Sequence, residues 1–148
     1  MIYVLDACAL LSLIKNEDGA TVVRQALESE DNVCLIHAIN LCEVYYDCLR
    51  CCGSDAADNL VAKFIDAGLC VRNDMEIEFW KAAGNLKARG RISLADCFAV
   101  TLTLSEDAVL LTSDRHEFGK LWETMGDAVI YLSIDTFSSF GIFRPCPV

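Results

Sequence analysis

Four acidic residues occupy positions at which carboxylates could gather into one site: Asp6, Glu43, Asp96 and Asp114. Two bare carboxylates about 4 Å apart repel by roughly 4 kcal/mol at an effective dielectric of 20. Several such contacts would remove much of the stability of a small domain unless a cation lay between them. Because ligands that are all carboxylate oxygens favour a hard cation, such a cluster predicts binding of Mg²⁺ or Mn²⁺ rather than zinc.

The order of the predicted elements would bring these acids together. Short apolar runs predict buried strands at residues 2–5, 33–36, 69–71, 108–111 and 129–132. Between these runs the apolar residues follow helical spacing. Strands that alternate with helices form a parallel sheet covered on both faces, so we expect an α/β fold in a single domain, residues 1–148. Ligands bind such sheets beyond the carboxyl ends of the strands.

Each acid lies near that edge of the predicted sheet. Asp6 directly follows the first strand, and Asp114 lies just beyond the fourth. Glu43 is expected in the first turn of the helix after the second strand, and Asp96 in the first turn of a helix opened by Ser93. Each acid alone has another explanation, since an acid near a helix start can cap that helix or belong to a capping box. The placement of all four at one edge favours a shared site.

The composition limits the class of protein. Of the 148 residues 54% are apolar, yet no stretch reaches the roughly 18 uninterrupted apolar residues of a membrane span. The N-terminal sequence lacks the basic region of a signal peptide, so we expect a soluble cytoplasmic protein. Nine cysteines in a core-rich chain favour free thiols over a secreted disulfide scaffold.

The cysteines divide into two groups. Four have apolar neighbours and are expected to be small buried side chains: Cys8, Cys34, Cys70 and Cys97. Cys48 and Cys51 instead form a C-x-x-C pattern, and Cys52 directly follows it. No second pair follows at zinc-finger spacing, and no redox-type turn surrounds the pattern. A helix face lined with thiols is therefore favoured over metal or redox chemistry.

Four motifs, in order along the chain, resemble those of one family. They are Val4-Leu-Asp-Ala-Cys-Ala-Leu-Leu, Asn40-Leu-Cys-Glu-Val, Ser93-Leu-Ala-Asp-Cys and Leu111-Thr-Ser-Asp-Arg-His-Glu-Phe118. The sequence is similar to PIN-domain nucleases, and most closely to the VapC-type toxins of prokaryotic toxin–antitoxin pairs. Val129-Ile-Tyr-Leu resembles the last strand of that fold. The resemblance implies a PIN-like three-layer α/β/α fold with a central, mostly parallel sheet.

The resemblance also implies a divalent-metal-dependent endoribonuclease that hydrolyses RNA phosphodiester bonds and is the toxin of a type II pair. It carries over four catalytic and metal-binding acids: Asp6, Glu43, Asp96 and Asp114. The implied cofactor is Mg²⁺ or Mn²⁺, with Asp6 and Asp96 as the most direct ligands. Thr112 and Ser113 are expected to hold a water or a carboxylate. The implied partners are RNA, a small antitoxin protein and a second copy of the chain in a homodimer.

The net charge of −10 is unfavourable for binding RNA, because contacts with phosphates normally need basic residues. Residues 79–95 contain no acid, however, and Lys87, Arg89 and Arg91 lie there just before Ser93. These three side chains either line a solvated helix face or bind the RNA backbone. We take RNA binding as the hypothesis to test.

A departure from the family's pattern and two alternatives accompany the resemblance. Cys8 stands where such proteins often have Ser, Thr or Asn. His116, next to the site, is expected to be a bystander, since a metal-generated hydroxide needs no imidazole base. A receiver-like phosphoacceptor domain also gathers acids at strand ends, but it needs a Lys after a late strand, and none lies near Asp114. A catalytically silent PIN-like module that binds protein or RNA is the second alternative, because a fold does not guarantee an activity.

Overall fold

The structure, a computed structural model, describes residues 1–90, 92–114 and the backbone of 129–131. Five strands form one sheet: β1 Ile2–Leu5, β2 Val33–His37, β3 Leu69–Arg72, β4 Val109–Thr112 and β5 Val129–Tyr131. Six helices are described: α1 Ala7–Lys15, α2 Ala20–Glu28, α3 Ala38–Cys52, α4 Ser54–Asp66, α5 Ile77–Arg89 and α6 Leu94–Ser105.

The strands lie in the order β3-β2-β1-β4-β5, and each adjacent pair is parallel. In the register of the central strand, Val4 is paired with Leu35 on one side and Leu110 on the other. Leu5 is paired with Leu111. The carboxyl ends of β1, β2 and β4 are therefore level, and the residues that follow them lie along one edge of the sheet.

Alternation along the strands gives the sheet two apolar faces. Leu5, Ile36 and Leu111 pack with buried side chains of α1, α2, α3 and α4. Val4 and its two partners pack instead against α6, with part of α5. Burial of each such side chain stabilises the fold by about 1.5–3 kcal/mol. The predicted three-layer α/β/α architecture with a parallel central sheet is confirmed.

The structure differs from the sequence predictions in three places. Helix α3 begins at Ala38, directly after His37, so Glu43 lies in the second turn of the helix and not in the first. Cys70 is exposed on β3, which forms the edge of the sheet, and Cys8 is only half-buried. Burial of Cys34 and Cys97 is confirmed. His116, which the sequence predicts to be a bystander, lies outside the described residues.

Candidate active site

Asp6 lies between β1 and α1 and is completely buried. Its Oδ1 accepts a hydrogen bond from the Ala9 amide at 2.7 Å, so the side chain caps α1. Its second oxygen, Oδ2, is buried with no hydrogen-bond partner among the described residues. A carboxylate oxygen without a geometric hydrogen-bond partner is costly to bury, because burial removes the water that would otherwise hydrate it.

The electrostatics of Asp6 reflect this position. Burial raises the pKa of Asp6 from its ordinary 3.8 to about 7, and the negative charges of Asp96 and Asp114 add to the increase. The side chain of Thr112 and the amide of Ala9 lower the pKa of Asp6, and each offsets part of the increase. The first acid is therefore held in surroundings that disfavour its charge unless a cation compensates for it.

Asp96 lies in the first turn of α6 and is held there by Ser93, the N-cap residue. The Ser93 hydroxyl accepts a hydrogen bond from the Asp96 amide at 3.0 Å and donates one to the Asp96 Oδ2 at 2.6 Å. The sequence predicted the cap but not the second bond. Ser93 thus fixes the direction of the carboxylate as well as the start of the helix.

Thr112 ends β4 and is completely buried. Its Oγ1 accepts a hydrogen bond from the Asp114 amide at 3.0 Å, which holds the turn that follows the strand. The same side chain lowers the pKa of Asp6. Thr112 therefore links the acid after β1 to the acid after β4. Ser113 lies between Thr112 and Asp114 and is half-buried.

Asn40, one turn before Glu43, connects α3 to α6. It is completely buried, and its Nδ2 donates a hydrogen bond to the carbonyl of Ala95 at 3.1 Å. Ala95 directly precedes Asp96, so this bond sets the position of α3 relative to the first turn of α6. Asn40 and Ala95 are 55 residues apart in the sequence. No local sequence pattern therefore indicates that Asn40 connects the two helices.

His37 is a second residue that the sequence did not indicate. Its Nδ1 accepts a hydrogen bond from the Ile39 amide at 3.2 Å, so the ring caps α3. The other nitrogen, Nε2, therefore carries hydrogen and donates to the Asp74 carbonyl at 3.1 Å. The ring also packs against Phe79 and Phe98, with centroid separations of 5.6 and 4.8 Å. His37 thus anchors the start of the helix that carries Glu43.

The half-buried thiol of Cys8 lies near enough to all four acids to feel their charges. The pKa of Cys8 is raised to about 12, mostly by burial, and further by four negative charges: Asp6, Asp114, Asp96 and Glu43. The structure therefore brings all four predicted acids within electrostatic range of one half-buried thiol. In residues 1–90 and 92–114, no group of three or more His, Cys, Asp or Glu side chains lies close enough together to hold a metal ion.

The donor atoms at this edge nevertheless fit a divalent cation. They are carboxylate and hydroxyl oxygens, which Mg²⁺ and Mn²⁺ prefer, and the orphaned Oδ2 of Asp6 is a donor that needs a positive partner. The neighbouring acids repel the charged form of Asp6, and a cation would reverse that effect.

The predicted basic residues lie at the end of α5. Lys87 and Arg89 are exposed in its last turn, and Arg91 lies outside the described residues. The Nζ of Lys87 donates a hydrogen bond to the carbonyl of Ile92 at 2.5 Å. Lys87 therefore also holds the loop that leads into Ser93, a role that the sequence did not indicate.

A family model for the PIN domain matches residues 3–121. The chain belongs to the PIN domain family. Among curated proteins none matched the sequence. No helix in the described part of this PIN domain has the length and apolar character needed to cross a membrane.

Solved structures share the fold of this PIN domain. A chain of VapBC2 from Rickettsia felis, bound to a DNA fragment from its promoter, has a TM-score of 0.64 at 21% identity, over 81% of this chain and 92% of that one. VapC20 from Mycobacterium tuberculosis, a toxin that cleaves the sarcin–ricin loop, has a TM-score of 0.63 at 14% identity, over 81% and 95%. VapBC-1 from nontypeable Haemophilus influenzae has a TM-score of 0.62 at 23% identity, over 83% and 94%.

Proposed function

We propose that this PIN domain is a divalent-metal-dependent endoribonuclease and the toxin of a type II toxin–antitoxin pair that acts in the cytoplasm. The observation that carries the proposal is Asp6. A buried carboxylate with one orphaned oxygen and a pKa near 7, facing two further acids, is destabilising in a purely structural role. A bound cation would turn the same arrangement into a favourable one.

The carboxylates of Asp6 and Asp96 would hold the cation, with Asp114 and Glu43 completing its surroundings directly or through water. When bound, a divalent cation supplies Lewis-acid stabilisation of the charge that develops on the scissile phosphate. Ser93 keeps the Asp96 carboxylate in one orientation through its 2.6 Å hydrogen bond. Thr112 holds the backbone of Asp114, and Glu43 would orient the attacking water.

RNA is the proposed substrate, since the fold is shared with VapC20, a toxin that cleaves the sarcin–ricin loop. Lys87, Arg89 and Arg91 are proposed to bind the phosphate backbone near the start of α6. In a chain with a net charge of −10, a local basic group would reduce the repulsion that a polyanion meets.

The toxin role rests on the same neighbours, several of which are VapBC assemblies. It implies a small antitoxin protein as partner, and we also propose a homodimer of the chain. Light scattering of the purified protein tests the dimer directly. A mass of 16.3 kDa throughout the micromolar range would contradict it.

Cleavage of RNA by the purified chain tests the activity. Structured RNA and DNA of the same sequence are each incubated with Mg²⁺, Mn²⁺ or EDTA. The proposal predicts cleavage of RNA that requires either ion and is lost in Asp96→Asn. The matched control is Asp18→Asn, which removes one negative charge from an exposed loop residue. Retention of RNA binding without cleavage in either ion would favour a catalytically silent module instead.

A further inference from the structure

The last turns of α3 contain a group of thiols that is separate from the cluster of four acids. Cys48, Cys51 and Cys52 are spaced i, i+3 and i+4, so the helix places them on one side. All three are free thiols, with Cys48 half-buried and the other two exposed. This surface has no part in the proposed ribonuclease chemistry.

Two of these thiols are neighbours on the helix. Cys48 and Cys52 lie one helical turn apart on the same side of α3. Desolvation, followed by the proximity of Cys52, raises the pKa of Cys48. The Cys48 side chain is therefore mostly a protonated thiol at neutral pH, paired with a second sulfur one helical turn away.

The geometry disfavours a disulfide between this pair. Residues at i and i+4 of a helix have Cβ atoms about 5–6 Å apart, whereas a disulfide requires roughly 3.5–4.5 Å. One atom placed between the two sulfurs would span the longer distance without distorting the helix. A structural zinc ion is also disfavoured, because it takes four ligands, and the described residues bring no group of three His, Cys, Asp or Glu donors together.

We propose that Cys48 and Cys52 form a dithiol binding site for trivalent arsenicals. In the reaction of an arsenoxide R–As=O with the pair, two As–S bonds form and the As–O bonds break. The two thiol hydrogens leave with the oxygen as one water molecule, and no atom changes oxidation state. Protonated thiols are suitable reactants because each supplies its own proton to the departing oxygen.

Phenylarsine oxide is the probe that tests this site. Intact-mass spectrometry of the folded protein, in excess glutathione, counts the arsenicals that remain bound. A single thiol loses the probe to glutathione by exchange, whereas a chelating pair retains it. We expect wild type to retain one equivalent more than Cys48→Ser or Cys52→Ser, and ethane-1,2-dithiol to remove that equivalent.

Two variants of the same helix are matched controls. Cys51→Ser removes the neighbouring thiol of the group, and Cys42→Ser removes an exposed thiol outside it. Both should retain the extra equivalent. The proposal is overturned if Cys48→Ser or Cys52→Ser binds as wild type does, or if the loss occurs in Cys51→Ser instead. Circular dichroism of each variant verifies that the helical content of the protein is unchanged, so a loss of binding reports on the thiols.

Discussion

Replacement of Asp6 by Asn should make the metal-free protein more stable at neutral and higher pH. Asn keeps a side-chain oxygen for the hydrogen bond that Asp6 accepts from the Ala9 amide, and it is a good N-cap residue. What it removes is a buried negative charge that faces Asp96 and Asp114. The substitution therefore separates the cost of the charge from the benefit of the cap.

The magnitude follows from the pKa of Asp6, which is about 7 in the folded protein against an ordinary value of 3.8. Between these values the folded state holds a proton that the unfolded state has released, so stability falls as pH rises through this window. Three pH units at 1.36 kcal/mol each give a loss of about 4 kcal/mol, complete by about pH 8. For a chain of this length that corresponds to roughly 8–16 °C in Tm.

Urea denaturation in EDTA, from about pH 4.5 to pH 8, measures this difference. Asp6→Asn should be more stable than wild type by only about 1 kcal/mol at the acid end, and by up to about 4 kcal/mol at the basic end. Added Mg²⁺ should stabilise wild type, by about 2.7 kcal/mol at a hundred times the Kd, and the variant much less. Asp18→Asn serves as the exposed control and should follow wild type.

Parallel pH profiles for wild type and Asp6→Asn in EDTA would refute this reasoning, because they would mean that the buried carboxylate carries no excess charge cost. Equal stabilisation of both proteins by Mg²⁺ would refute the link between that cost and a cation.

Further substitutions test the supporting interactions. Ser93→Ala should lower stability by about 1 kcal/mol through loss of the cap and should reduce RNA cleavage. Ser93→Thr should retain the stability and the cleavage activity of wild type. Thermal denaturation measures the stability, and initial rates measure the cleavage. Asn40→Ala should cost about 1–3 kcal/mol, because it removes a buried hydrogen bond, and should weaken Mg²⁺ binding in titration calorimetry. Alanine at Lys87, Arg89 and Arg91 together should lower the slope of log affinity against log salt by about 0.7 for each phosphate that is no longer neutralised. Different RNAs should be weakened to a similar degree, because phosphate contacts do not read the sequence. An unchanged slope would mean that these residues only line a solvated helix face.

The sequence predicted the architecture well because the strands are short apolar runs bounded by helical periodicity. Residues 2–5 and 109–111 lie in interior strands of a parallel sheet that is covered on both faces, so they form short apolar runs, and this pattern is hard to mistake. The start of α3 was predicted too far along the chain, because a helix boundary depends on its cap. Here the N-cap residue is His37, an uncommon choice, and the helix starts early enough to put Glu43 in its second turn.

The positions of Asp6 and Asp114 could be predicted because they follow strands β1 and β4, but the interactions that support the four acids could not be predicted. The hydrogen bond from Asn40 to Ala95 depends on how two helices pack across the sheet. The interaction between Thr112 and Asp6 depends on the pairing of β1 with β4, which are separated by most of the chain. Such interactions arise from tertiary packing, so no local sequence pattern predicts them.

Binding of Mn²⁺, measured by electron paramagnetic resonance, tests the central claim most directly. Wild type is compared with four single variants, Asp6→Asn, Glu43→Gln, Asp96→Asn and Asp114→Asn, and with the exposed control Asp18→Asn. A shared site predicts that each of the four variants weakens Mn²⁺ binding by about tenfold or more, while the control binds as wild type does. Unchanged affinity in Asp6→Asn and Asp96→Asn would contradict the account.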